Sequence, residues 1–189
     1  MDSALIISYS EKGSAYLKEI LSEASITNVT TVSNAGEARR LLIDKDFDLC
    51  IVNAPLPDEF GESLARNIAA KETSEVILIV KSELFDEVSD RVEEYGVITI
   101  AKPISKSLFW NALKVASATH KKIKAMRDEN KKLVQKIEDI RIIDRAKCIL
   151  ISLLSMSEAE AHKYIEKQAM DMRMTRRKVA EQILKVYEN

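Results

Sequence analysis

The chain is poor in residues that interrupt or cross-link a backbone: its 189 residues include four glycines, three prolines, two cysteines, two histidines and one tryptophan. Four scattered glycines exclude a glycine-rich phosphate loop. Cys50 and Cys148 form neither a disulfide framework nor a metal-ligand spacing, and a reduced setting is the simplest one for them. No apolar run approaches the ~18 residues a membrane-spanning helix needs. Met1-Asp2-Ser3-Ala4 enters an apolar segment without a basic region or cleavage site, so the expected location is the cytoplasm, away from any membrane. Convergent acids, bases and nucleophiles are also missing. His120, beside Lys121 and Lys122, and His162, after Ala161, read as isolated surface residues. Cys50, mid-strand, and Cys148, on an apolar helix face, read as core. No enzymatic activity, metal or organic cofactor is expected from such a set.

What is present is unevenly divided. The net charge is −1, but residues 1–118 carry 12 Lys/Arg against 19 Asp/Glu, whereas residues 119–140 carry 7 against 4 and residues 141–189 carry 10 against 7. An acidic front and a basic back suggest two tasks, the second facing polyanions.

Up to residue 118, five short apolar runs alternate with helical patterns. The runs are Leu5 to Ser8, Asn28 to Val32, Phe47 to Asn53, Val76 to Lys81 and Val97 to Ala101. Near-continuous Val, Ile and Leu suit a parallel sheet covered on both faces. Between them, Ser14 to Glu23, Ala35 to Ile43, Glu59 to Ala70 and Leu84 to Tyr95 show apolar residues three and four apart. The alternation predicts an α/β, flavodoxin-like, doubly wound five-stranded parallel sheet.

No Gly or Pro occurs from Ser105 to Asn189, so the helix after Lys102-Pro103 has no stop signal. Along it, Ile123, Met126, Asn130, Leu133, Ile137 and Ile140 are spaced 3, 4, 3, 4, 3, the a/d seam of a coiled coil with Asn130 at an a position. A buried Asn there favours a parallel pair of strands, which makes a homodimer the expected state. The flanking pairs Lys122 with Arg127 and Lys136 with Arg141 would be like-charged across that dimer, so the neighbouring domains must help hold it. A single amphipathic helix packed on its own chain is the alternative.

Near the end, Thr175 is a good helix N-cap, followed by Arg176-Arg177-Lys178 and then Val179, Ile183, Leu184 and Tyr187 at helical spacing. Cations oppose the positive end of the helix dipole, yet together with the orphan N–H groups they form an anion site. A nucleic-acid backbone is the commonest large anion that fits. A solvated basic turn is the alternative reading.

Two family resemblances sharpen this picture. Ala146-Lys147, Ile149-Leu150, Ser157-Glu158, Glu160-Ala161, Ala169-Met170 and Val179-Ala180-Glu181 resemble, in register, the ANTAR domain, a three-helix RNA-binding module of bacterial transcription antiterminators. Cys148 stands where that family usually has Gly, and Ile151 where it usually has Met. The resemblance implies dimers that bind paired hairpin loops in nascent messenger RNA. It directs attention to Lys147, Arg145, Arg173, Thr175, Arg176, Arg177 and Lys178. Tyr164 and Tyr187 are the only aromatic stacking candidates in the module, so guanidinium planes have to serve.

The front segment, with Asp48-Leu-Cys-Ile-Val-Asn53-Ala-Pro-Leu-Pro57 and Lys102-Pro103, resembles the response-regulator receiver domain. That family phosphorylates an Asp at the end of the third strand, next to Mg²⁺ held by two acidic residues after the first. On this chain the acceptor position is Asn53, the acidic pair falls on Ser8, Tyr9 or Ser10, the Thr position is Val80, and only Lys102 matches. An amide forms no acyl phosphate, and Glu11 offers a single carboxylate, so a pseudo-receiver is implied, with Lys102 a structural remnant bonding Asn53. Dimerisation or a regulatory protein docking near Val97, Ile98, Ile100 and the helix carrying Phe109 and Trp110 is the remaining role, although such an aromatic pair also suits a core.

The expected organisation is a pseudo-receiver domain over 1–118, a coiled-coil linker helix over 119–140 and an all-α, three-helix RNA-binding domain over 141–189. The expected function is transcription antitermination by RNA binding. Two other readings stay open. A protein-binding adaptor needs no nucleic acid. A DNA-binding regulator would place a Gly-containing turn between its last helices, and Asp171-Met-Arg-Met174 has none.

Overall fold

A computed structural model describes residues 1–71 and 73–187, which leaves 188 and 189, the end of the expected RNA-binding segment, outside the described residues. The chain forms two compact units, Met1–Lys124 and Ala125–Asn189. In the first unit the strands β1 (Ser3–Ile7), β2 (Asn28–Val32), β3 (Leu49–Asn53), β4 (Glu75–Lys81) and β5 (Ile98–Lys102) form one parallel sheet in the order β2-β1-β3-β4-β5. The helices α1 (Glu11–Glu23), α2 (Ala35–Asp44), α3 (Glu62–Ala69) and α4 (Phe85–Val92) connect them, and α5 (Lys106–Leu154) follows the last strand.

Alternation along the strands fills two core layers. Ala4, Ile6, Ile51, Ile77 and Ile79 face Leu17 and Leu21 of α1 and Phe109 and Leu113 of α5. Leu5, Ile7, Val52, Leu78 and Val80 face Ala38, Leu64 and Val88 of the other three helices. Each fully buried aliphatic side chain contributes about 1.5–3 kcal/mol. Phe109 is fully buried and Trp110 packs half-buried on the same layer, so both belong to the core. Register sets Ile7 beside Val52, Asn53 beside Ile79 and Lys81 beside Lys102, which brings Ser8, Asn53 and Lys102 to one end of the sheet.

Helix starts follow their caps rather than hydrophobic periodicity. The first helix begins at Glu11 because the Ser10 hydroxyl accepts from the Gly13 N–H. The third begins at Glu62, not Glu59, because Leu56 N–H donates to Glu59 O and Gly61 takes φ +106° before it.

The absence of stop signals after Ser105 is realised as a single α5 of 49 residues. In the second unit its later turns pack with α6 (Glu158–Asp171) and α7 (Arg176–Tyr187) around Ala146, Leu150, Ala161, Ile165, Ala180 and Ile183. Alanines at these positions let the helices approach closely. Ser157 and Glu160 form a reciprocal capping box at the start of α6. Ser155 (φ 53°) and Arg173 (φ 52°) make the turns that glycine usually makes, at a cost of about 1 kcal/mol each.

Cys148 and His120 depart from expectation. Cys148 is exposed, not core, because Ala146, Ile149 and Leu150 supply the buried face of that turn. His120 is not a free surface residue: its side chain is 14% exposed, with Nε2 3.3 Å from Asp48 Oδ1.

Candidate functional site

The receiver-like pocket is closed on itself. Asn53 is buried, and its Nδ2 donates to Ser8 Oγ at 2.9 Å, while Ser8 Oγ donates to Ser10 O at 3.2 Å. Gly13 presses on the same amide so tightly that a Cβ there would lie 2.8 Å from Asn53 Nδ2. Lys102 does not bond Asn53. Its Nζ donates to Ala54 O, one residue beyond the acceptor position, and Asn53 Oδ1 has no partner among the described residues. Burial, then the nearby Lys81, hold the Lys102 ammonium below the ordinary lysine range. Val80 is fully buried in the strand where receivers carry a hydroxyl. Among the described residues no three His, Cys, Asp or Glu side chains group to hold a metal ion. The donors here are a serine hydroxyl, an amide and carbonyls, with Gly13 against the amide, so these residues do not fit Mg²⁺.

In the second unit cations gather at one helix start. Thr175 caps α7: its Oγ1 accepts from Lys178 N–H at 3.3 Å and its carbonyl accepts from Val179 N–H at 3.2 Å. No acidic residue stands in the first turn, so Arg176, Arg177 and Lys178 gather at the positive end of the dipole. The carboxylates come from elsewhere. Arg176 meets Glu166 of α6 at 3.1 Å. Arg177 meets Asp139 of α5 and Glu181, each at 2.8 Å. Glu181 and Asp139 thereby hold the Arg177 guanidinium above its ordinary range. Lys136, Asp139, Ile140, Ile143, Thr175, Arg176 and Arg177 line a cleft of about 430 Å³.

The other expected contacts fall into two groups. Lys147 is 16% exposed and clasped by Asp144 at 2.8 Å and Glu158 at 3.5 Å, and the Asp144 bond first of all raises its ammonium above the usual range. It joins α5 to α6. Arg145, Arg173 and Lys178 are exposed, Arg145 being next in the chain to the buried Ala146. The seam residues Met126, Leu133, Ile137 and Ile140 are each more than half exposed, Asn130 is exposed and Ile123 is half-buried. From Met126 to Ile140 the seam is thus an exposed stripe, apolar apart from Asn130. Asp139 and Glu166, which neutralise the arginines, were invisible to sequence reasoning, since only the i,i+4 pair Arg177–Glu181 can be read from spacing.

The family description "ANTAR domain" matches residues 131–184. A transcriptional regulatory protein of Mycobacterium tuberculosis (strain H37Rv), PdtaR, is 30% identical over 169 residues, covering 89% of this chain and 82% of that relative. The chain belongs to the ANTAR family of transcriptional regulators.

The front unit of this ANTAR regulator is similar to solved receiver domains. The signal receiver domain of an HD domain-containing protein from Pseudomonas fluorescens Pf-5 superposes with TM-score 0.58 at 21% identity, over 65% of this chain and 91% of that one. A CheY-like receiver from Methanospirillum hungatei JF-1 gives TM-score 0.56 at 21% identity, over 65% and 98%. Both establish the receiver fold of residues that carry Asn53 where receivers carry an acceptor. No helix among the described residues is long and apolar enough to cross a membrane.

Proposed function

We propose that this regulator binds RNA hairpin loops in nascent messages as a dimer and acts by antitermination in the cytoplasm, without catalysis. The observation that carries the proposal is the start of α7: a Thr175 cap followed by three cations and no acid, inside the segment that matches the ANTAR domain. The exposed seam from Ile123 to Ile140 supports pairing of two copies, and the linker over 119–140 then presents two domains, each 141–189, to one RNA. Among the expected RNA-binding cations, Arg173 and Lys178 make no ion pair with the described residues, and surface pairs such as Arg176–Glu166 are weak enough, at ~0–1 kcal/mol, for phosphate to replace.

The front domain, 1–118, serves as a pseudo-receiver that takes no phosphoryl group and offers its outer face to a regulatory protein. Asn53→Asp alone is expected to remain unphosphorylated by acetyl phosphate, because the metal ligands are missing too. Rapid uptake would show that the first loop rearranges to bind Mg²⁺.

Titration of the full chain with a two-hairpin RNA and with duplex DNA, from 50 to 200 mM salt, tests the whole reading. Preference for the hairpins with a steep salt dependence is expected, and Ile137→Asp should leave a monomer that binds more weakly. Arg176, Arg177 and Lys147 all hold internal carboxylates, which favours the adaptor reading if RNA affinity proves weak and nearly independent of salt.

A further inference from the structure

The cleft at the start of α7 holds one group that the phosphate-binding reading leaves unused, the Asp139 carboxylate. Its Oδ1 accepts from Gln135 Nε2 and from Arg177, each at 2.8 Å, and its Oδ2 has no partner among the described residues. The Gln135 bond and then the Arg177 bond hold the carboxyl below the ordinary aspartate range, so it is an acceptor at neutral pH. Around it the cleft has an apolar floor, Ile140 and Ile143, and a cationic rim, Lys136, Arg176 and the capped helix start at Thr175. A purely phosphate-binding site gains nothing from an apolar floor and loses from a carboxylate. An unpaired nucleotide uses all three: the base lies on Ile143, next to the seam residue Ile140, its phosphate meets the rim, and the single free carboxylate oxygen accepts from an exocyclic amino group.

We infer that Asp139 is a base-reading residue, which selects at one loop position a nucleobase whose amino group stands where uracil has its 4-carbonyl, adenine or cytosine, over uracil. This rests on the RNA-binding reading above and names the chemistry that reading leaves open. Uracil turns a carbonyl oxygen toward the position where the others carry the amine, and two acceptors facing each other repel. Asn in place of Asp139 keeps an oxygen for Gln135 and Arg177 but exchanges the free oxygen for an amide donor, which reverses the preference.

The test uses full-length protein and a two-hairpin RNA in which each loop nucleotide is replaced in turn by uridine. With the native chain, one position should lose roughly tenfold or more in affinity on uridine substitution. Asp139→Asn should abolish or invert that discrimination at the same position, with the other positions unchanged. Lys136→Ala should weaken all the RNAs by a similar factor and lower the salt slope by about 1 while the uridine penalty persists. Thermal melts of both variants report whether the Arg177 contact and the fold remain. Tight RNA binding with no uridine-sensitive position, or an unchanged pattern in a folded Asp139→Asn protein, overturns this inference and leaves the RNA-binding reading standing. Failure of the native chain to bind any of the hairpins overturns both.

Discussion

The pocket at the ends of β1, β3 and β5 and the cleft at the start of α7 differ in where their polar groups find partners. In the pocket, Asn53 Nδ2 donates to Ser8 and Ser8 to Ser10 O beneath Gly13, Lys102 turns to a backbone carbonyl, and no carboxylate takes part in these bonds. In the cleft, the cations are held by exposed carboxylates from three different helices, in pairs that cost little to exchange. Short-range neutral contacts close a site, whereas exposed ion pairs keep one exchangeable. The receiver fold has therefore kept its sheet around a neutral amide pocket, while the smaller unit carries the cationic start of α7.

The sharpest way to break the comparison is to unfold one region and watch the other. Leu150→Ala in the small three-helix core is expected to destabilise that unit by about 2–5 kcal/mol, with the melting transition of the sheet unit unmoved in calorimetry. A single transition that shifts as a whole would mean the two units do not unfold separately. Next in size, Gly13→Ala forces a Cβ into the Asn53 amide and should cost roughly 1–3 kcal/mol despite the better helix propensity of alanine. Asn53→Ala in the same chain should restore most of it in chemical denaturation, and an unrelieved loss would show that the pocket is not closed by this contact. Lys178→Ala should reduce the salt slope of RNA binding by about 1 and leave stability within ±0.5 kcal/mol.

The smallest effect concerns pH. Burial pushes the Asp48 carboxyl up, but the N–H groups of Asp2 and Ser3, with His120 and the amino terminus, outweigh it and hold the group below its ordinary value. A depressed carboxyl contributes stability above its unfolded pKa of about 3.9 and loses it as pH falls through the folded value. The sheet unit should thus weaken in acid below about pH 4, and Asp48→Asn should flatten that slope in melts taken between pH 2 and 6.

Much of the architecture was legible along the chain. Strand positions followed from runs of Val, Ile and Leu, and the unbroken α5 followed from the missing Gly and Pro after Ser105. Asn53 and Val80 revealed the altered receiver pocket directly, because residue type alone decides whether a carboxylate or a hydroxyl is there. Partners were harder. Lys102 was expected on Asn53 and lies on Ala54 O, one residue on. Cys148 was expected inside, yet its helix turns Ala146 and Leu150 inward instead. His120 was expected in solvent and stands against Asp48 at the other end of the sheet from the pocket.

The sequence by itself determined the alternation that builds the sheet, the loss of acceptor chemistry at Asn53, the division of charge and the cationic start of α7, because each depends on residue type and short spacing. Only the tertiary structure decided which cations are neutralised and by what. Asp139 and Arg177 are 38 residues apart, and their meeting depends on how α5 and α7 pack around Ala146 and Ala180, which no local periodicity encodes.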